Sequence, residues 1–205
     1  MNSLKKAALF INFEGIDNAG KSTLIADLQK QFSKSLPVHV TKELTTDVGF
    51  LIIEKLKNHS LNSYERILLF AADRQQRFSK QIKPKLKSRC LFLADRWIFS
   101  AIAYQCAENS SLRDYVTEVN RIFIKPDVTF YIDIMARESI RRGNLSNKNN
   151  YPQSFLNKVR KEYLILADEY SFIKINGMRE YSLVKSEVQQ KVQEMVKCLW
   201  PDFAN

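Results

Sequence analysis

The sequence is poor in the residues that build metal centres and covalent staples. It has three cysteines and two histidines in 205 residues. Cys90, Cys106 and Cys198 are far apart, form no C-x-x-C pair or Cys/His cluster of the zinc type, and give no disulfide framework. That usage suits a reducing compartment. Cys90 opens an apolar run and reads as core. His39 and His59 are isolated and suggest neither a metal site nor a general base. No stretch approaches the roughly 18 apolar residues of a membrane helix. Residues 1–6 are too few before the first apolar run to serve as a signal or transit peptide. A cytoplasmic protein with no membrane partner is therefore expected. The net charge is +10, but no five or six basic residues stand together. Nucleic acid is accordingly not the expected partner, and a polyanionic small-molecule substrate explains part of the excess. There is no internal repeat, low-complexity tract or linker, so residues 1–205 are read as one domain around one core.

What the chain does have is a phosphate-binding loop. Gly15-Ile16-Asp17-Asn18-Ala19-Gly20-Lys21-Ser22-Thr23 fits the pattern G-x-x-x-x-G-K-[ST]. Apolar residues 7–13 lead into it and a helix-like run, residues 21–34, leads out. In that context the loop's N–H groups converge on phosphate, and the helix N-terminus adds partial positive charge. Lys21 is placed to reach the β- and γ-phosphates of a nucleoside triphosphate, and the Ser22 hydroxyl to help hold Mg²⁺.

Four more apolar or β-branched runs are read as strands: residues 38–41, 89–94, 128–134 and 172–176. The near-continuous apolarity of residues 7–13 and 89–94 suggests burial on both faces, as in a parallel sheet. Helices are expected at residues 47–58, 63–83, 98–107, 111–121, 152–168 and 181–199. Asn62 or Ser63 caps the second of these, and Pro84 ends or kinks it. Phe155, Val159, Tyr163 and Leu166 recur at helical spacing and read as core. The polar stretch at about residues 137–152 reads as a mobile cover carrying Arg137, Arg141 and Arg142. Strands alternating with helices give a three-layer α/β fold with right-handed crossovers.

A phosphate loop alone does not separate GTPases, ATPases and kinases. The remaining features suggest a second anion pocket. Lys42 follows the second strand, and Asp95-Arg96 follow the third. Phe70 and Arg74 are four apart and share a helix face. Phe70 can stack on a base while Arg74 grips the attached phosphate. Asp95, at a strand's carboxyl end, is placed near Mg²⁺. Two anion sites under a basic cover suit transfer of a γ-phosphoryl group between nucleotides, a reaction of positioning and charge neutralisation.

Phe13-Glu14-Gly15-Ile16-Asp17 through Thr23, Leu69 to Arg74, Asp95-Arg96-Trp97, Ser100 to Gln105, and Pro126 to Thr129 resemble the thymidylate kinase family, a nucleoside monophosphate kinase branch of the P-loop NTPases. The resemblance runs from residue 7 to about 176. It implies a five-stranded parallel sheet in order 2-3-1-4-5 with a LID, and transfer of the ATP γ-phosphoryl to dTMP with Mg²⁺. It implies roles by position. Asp17 binds the deoxyribose 3′-hydroxyl, and Lys21 meets the transferring phosphoryl. Phe70 stacks on thymine. Lys42, Arg74 and Arg96 face the dTMP phosphate or base region. Ser100 lies in the acceptor pocket, Tyr104 closes the sugar pocket and disfavours a 2′-hydroxyl, and Gln105 meets the base. Ser22 and Asp95 serve the metal. A homodimer through helices of the first half is implied too. The alternatives are a kinase for another nucleoside or monophosphate, or a nucleotide-binding regulator that has lost catalysis.

The sequence departs from that family in four places. Lys42-Glu43-Leu44 stands for Arg-Glu-Pro, which keeps the charge and loses the bidentate fork. Trp97 replaces the Tyr or His that usually follows Asp-Arg. Asn150-Tyr151-Pro152-Gln153 replaces an Asp-Arg-Phe-Glu-like cover segment, so Arg141, Arg142 or Lys148 must supply the cover's cation. Asn18-Ala19 contributes no arginine to the loop.

Overall fold

The structure, a computed structural model, describes residues 7–58, 60–146 and 151–204. His59, Lys148 and the 147–150 part of the expected cover lie outside the described residues, as do residues 1–6 and 205.

Five strands form one parallel sheet: β1 (Ala8–Glu14), β2 (Val38–Lys42), β3 (Cys90–Asp95), β4 (Val128–Asp133) and β5 (Ile173–Asn176), in the order β2-β3-β1-β4-β5. The expected order is the observed one. Every residue of β1 and β3 is buried, which is why those runs lack polar alternation. The edge strands β2 and β5 are mixed in burial, matching their shorter, more polar sequences. Register sets the site: Phe13 pairs with Asp95, and Lys42 pairs with Asp95 from the other side. The carboxyl ends of β1, β2 and β3 therefore meet at one edge, beside the point where the strand order reverses. In open α/β sheets that crevice is where ligands sit.

The helices are α1 (Lys21–Phe32), α2 (Asp47–Lys57), α3 (Ser63–Arg77), α4 (Ile98–Glu108), α5 (Arg113–Asn120), α6 (Ala136–Ser146), α7 (Gln153–Glu169) and α8 (Tyr181–Leu199). Asn62 caps α3 through a reciprocal box: its Oδ1 accepts from the Glu65 N–H at 2.9 Å, and Glu65 Oε2 accepts from the Asn62 N–H at 2.8 Å. Regular α3 stops earlier than residue 83. Residues Phe78–Ile82 widen into a π-turn and Lys83–Lys85 tighten into a 3-10 turn around Pro84. Proline has no N–H and its ring crowds the carbonyl four residues back, so the ladder must change pitch before it.

The first part of the expected cover is helical. Residues 136–146 are helical, because Ala136, Ser139 and Gly143 are buried and Ile140 packs on the core. Glu138 also bonds Arg141 and Arg142, three and four residues on.

Candidate active site

The phosphate loop is held by backbone geometry. Gly15 has φ 143°, and a Cβ there would stand 2.6 Å from the Ile132 carbonyl oxygen. Only glycine fits that approach to β4. Gly20 has φ 94° and opens α1. The first N–H groups of α1, at Lys21, Ser22 and Thr23, have no partners within the helix, and such helix N-termini suit phosphate. The Lys21 ammonium is buried and donates to the carbonyls of Gly15 at 3.0 Å and Ile16 at 2.9 Å. Burial, with repulsion from Arg96, lowers its pKa from 10.5 to about 8. Ser22 Oγ donates to Asp95 Oδ2 at 2.5 Å. Lys42 Nζ lies 4.0 Å from the same carboxylate oxygen, with its side chain largely exposed.

A cavity of about 580 Å³ opens beside the loop. That size is usual for a small-molecule site. Asp17, Phe70, Arg96, Ser100, Tyr104 and Gln105 all line it. These six come from the loop, α3, the end of β3 and α4. The centre of the site is a compact charge network. Arg96 Nη2 donates to Asp17 Oδ1 at 2.6 Å and to the Tyr104 hydroxyl at 3.0 Å. Tyr104 in turn donates to Asp17 Oδ1 at 2.8 Å. Burial works against the Arg96 charge, but Tyr104, Tyr163 and Asp17 outweigh it and hold its pKa above the ordinary arginine value. Burial pushes the Tyr104 phenol up, so it remains a donor. The Gln105 side chain is buried, and its Oε1 has no hydrogen-bond partner among the described residues.

Backbone strain collects around the same cavity. Among the described residues, three of the four non-glycine residues with positive φ lie in or next to its lining: Asn18, Leu44 and Arg96 (58°, 62° and 70°), the fourth being Ser171. Such residues cost of order 1–3 kcal/mol each and persist where the surroundings hold them. Leu44 lines the cavity where the family pattern has proline. Its N–H donates to Asp73 Oδ2 at 3.3 Å.

Four expected site residues sit elsewhere. Arg74 is fully buried and does not line the cavity. It donates to Asn120 Oδ1 and to the Trp97 carbonyl at 3.1 Å, pairs with Glu43 at 3.6 Å, and lies over the Phe123 ring. Burial lowers its pKa to about 10 and raises that of Glu43. Its place is the wall behind the cavity. Lys42 stands on the Asp95 side, as above. Arg141 and Arg142 both bond the Glu138 carboxylate, and Arg142 also donates to the Gly177 carbonyl at 2.8 Å. Hydrogen bonding from Arg141, and to a lesser degree from Arg142, holds Glu138 at a pKa of about 2.

Sequence reasoning missed Glu43, Arg66, Tyr151 and Phe155, which also line the cavity. Arg66 lies one helical turn before Phe70, a spacing that identifies it in retrospect. It bonds Glu108 at 2.7 Å. Tyr151 and Phe155 approach Tyr104 with ring centroids 5.6 and 6.2 Å away. The stripe read as core is therefore divided: Val159 and Leu166 are core, and Phe155 faces the cavity. Trp97, one of the departures, is fully buried and stacks beneath the Arg77 guanidinium at 5.0 Å.

The chain is similar to known proteins in sequence and in overall fold. The family model for thymidylate kinase matches residues 13–188. A probable thymidylate kinase of Pyrobaculum aerophilum is 35% identical over 193 residues, covering 92% of this chain and 98% of that one. A thymidylate kinase of Thermosipho africanus is 38% identical over 202 residues, covering 91% and 98%. The crystal structure of thymidylate kinase from Ehrlichia chaffeensis superposes with a TM-score of 0.70 at 27% identity, covering 91% of this chain and 99% of that one. The loop, the parallel sheet and the cavity beside them are thus found in a chain that belongs to the thymidylate kinase family.

Proposed function

We propose that the chain is a dTMP kinase, transferring the γ-phosphoryl of ATP to dTMP to give dTDP and ADP. The observation that carries this reading is the position of Asp17. It belongs to the phosphate loop and also lines the cavity, where Arg96 bonds it at 2.6 Å. Donor and acceptor sites therefore adjoin, which brings two bound nucleotides into the proximity that direct transfer needs. In this reading the loop N–H groups and Lys21 cradle the triphosphate. The acceptor base enters against Phe70 and Gln105, its sugar lies at Asp17 and Tyr104, and its phosphate faces Arg96. Glu43, raised in pKa by burial and paired with Arg74, lines the same cavity.

Ser22 and Asp95 fit Mg²⁺. They offer a hydroxyl and a carboxylate 2.5 Å apart beside the loop. No group of three or more His, Cys, Asp or Glu that could hold a metal occurs among the described residues. Mg²⁺ needs no such cage, because one or two protein oxygens and the nucleotide phosphates suffice. When bound it neutralises charge on the phosphate oxygens. Residues 137–152 serve as the cover, with Arg141 and Arg142 supplying cations once released from Glu138.

A homodimer is the proposed assembly. The neighbouring helices α2 and α3 leave Phe50, Leu51, Tyr64 and Leu68 exposed, an apolar face suited to a second copy. No helix among the described residues is long and apolar enough to cross a membrane. Cytoplasmic residence is proposed from the family resemblance together with the free thiols of Cys90, Cys106 and Cys198. A coupled assay of ADP release across dTMP, dUMP, UMP, dCMP and thymidine tests the function. Turnover of dTMP above the others is expected. Turnover of another acceptor without dTMP replaces the substrate, and nucleotide binding without ADP release makes the protein a regulator.

A further inference from the structure

Glu14 closes β1 immediately before the phosphate loop, is fully buried, and does not line the cavity. A buried carboxylate is costly unless its oxygens are satisfied. Here Oε1 accepts from the Trp97 N–H at 3.0 Å and from Asn12 Nδ2 at 3.0 Å, and Oε2 accepts from the Tyr163 hydroxyl at 2.8 Å. Two of these donors bracket Arg96. Trp97 follows it in the chain, at the turn where Arg96 takes φ 70°. The Arg96 N–H itself donates to the Phe13 carbonyl at 3.1 Å. Both amides of the strained turn are thereby tied to the end of β1.

The third donor acts on the guanidinium. Arg96 Nη1 donates to the Tyr163 hydroxyl at 2.9 Å. A tyrosine hydroxyl has one proton. Because that proton is spent on Glu14, the oxygen's lone pairs are left to face Arg96. Tyr163 is held in place by stacking on Tyr131, with centroids 5.4 Å apart.

We propose that Glu14 is the positioning residue of the acceptor site, holding the Arg96 turn by its backbone and aiming the guanidinium through Tyr163. This rests on the reading of the cavity as the site for dTMP. It also gives Arg96 an anchor separate from Asp17, so Asp17 can exchange contacts with an incoming sugar while the guanidinium stays aimed at the phosphate.

The test is a two-residue cycle read by calorimetric titration of dTMP and, separately, of ATP. Glu14→Gln keeps an oxygen for Trp97 and Asn12 but sets an amide donor against Tyr163, which turns the phenol proton toward Arg96. It is expected to weaken dTMP about tenfold or more and ATP less than twofold, an order of effect set by a charged hydrogen-bond network. Tyr163→Phe is expected to weaken dTMP selectively as well, and Glu14→Gln is expected to add nothing on that background. Equal weakening of both nucleotides, or effects that multiply in the double variant, would reduce Glu14 to a structural role. Should Glu14→Gln fail to fold, unchanged dTMP affinity in Tyr163→Phe overturns the proposal by itself. If the unmodified protein binds another monophosphate in place of dTMP, the acceptor reading fails and the same cycle with that monophosphate still tests Glu14.

Discussion

Raising the pH should disarm the donor site through Lys21. Its ammonium is buried against two loop carbonyls, and its pKa of about 8 leaves it partly neutral in the ligand-free protein at mildly basic pH. A bound triphosphate favours the charged form, so ATP binding draws in a proton. With a pKa of about 8, the protonated fraction falls from about three-quarters at pH 7.5 to about 3% at pH 9.5, which predicts a roughly 25-fold loss of ATP affinity. Calorimetry in two buffers of different ionisation enthalpy should show uptake of about half a proton at pH 8. Lys21→Arg, which cannot titrate in this range, should abolish both the proton uptake and the slope. The sign for stability follows from the same shift. An unfolded lysine keeps its proton to a higher pH than the folded one, so burial penalises the folded state below pH 8. The penalty, about 3 kcal/mol, is relieved as pH rises from about 8 toward 10.5. ATP affinity that is flat from pH 7.5 to 9.5, with no proton uptake, would refute the burial argument and place Lys21 in solvent.

Other perturbations separate the parts of the site. Lys21→Ala should abolish turnover with the fold intact; a near-normal kcat would remove the loop from catalysis. Asp95→Asn should raise the Mg²⁺ concentration for half-maximal turnover about tenfold or more, since a hard cation prefers the carboxylate; an unchanged Mg²⁺ dependence would leave Asp95 a partner of Ser22 alone. Arg74→Ala should lower the free energy of unfolding by about 3–5 kcal/mol in urea titrations, because it strands Glu43 and Asn120 in the interior. Retained stability with selective loss of dTMP binding would return Arg74 to the acceptor site. Gly15→Ala should cost about 3 kcal/mol or more in thermal unfolding, since the added methyl meets the Ile132 carbonyl at an unfavourable φ; a chain that unfolds like the parent would mean that β4 moves freely away.

Much of the fold is legible in the residues because it depends on local pattern. The buried strands β1 and β3 announce themselves by unbroken apolarity, and Asn62 with Glu65 marks the start of α3 by spacing alone. Helix α6 was not legible, because its polar residues find partners on each other and on Gly177, a carbonyl far along the chain. The same limit applies to Arg74. Its spacing from Phe70 is right for a shared helix face, but a helix face near a cavity also meets its neighbours. Asn120 and the Trp97 carbonyl take the guanidinium into the wall.

By itself the sequence determined the phosphate loop, the alternation of strands and helices, and the cavity residues carried by the loop, α3 and α4. The loop and the alternation follow from motif spacing and periodicity, which are properties of neighbours in the chain; the cavity residues were placed chiefly by resemblance to the thymidylate kinase family. Only the tertiary structure decided how the charges pair. Asp17, Tyr104, Tyr163 and Glu14 come from distant segments and converge on Arg96 because parallel pairing brings the ends of β1 and β3 together and packs α4 on α7. Which cation faces the cavity and which is buried behind it depends on that convergence, since a buried charge settles where its partners are.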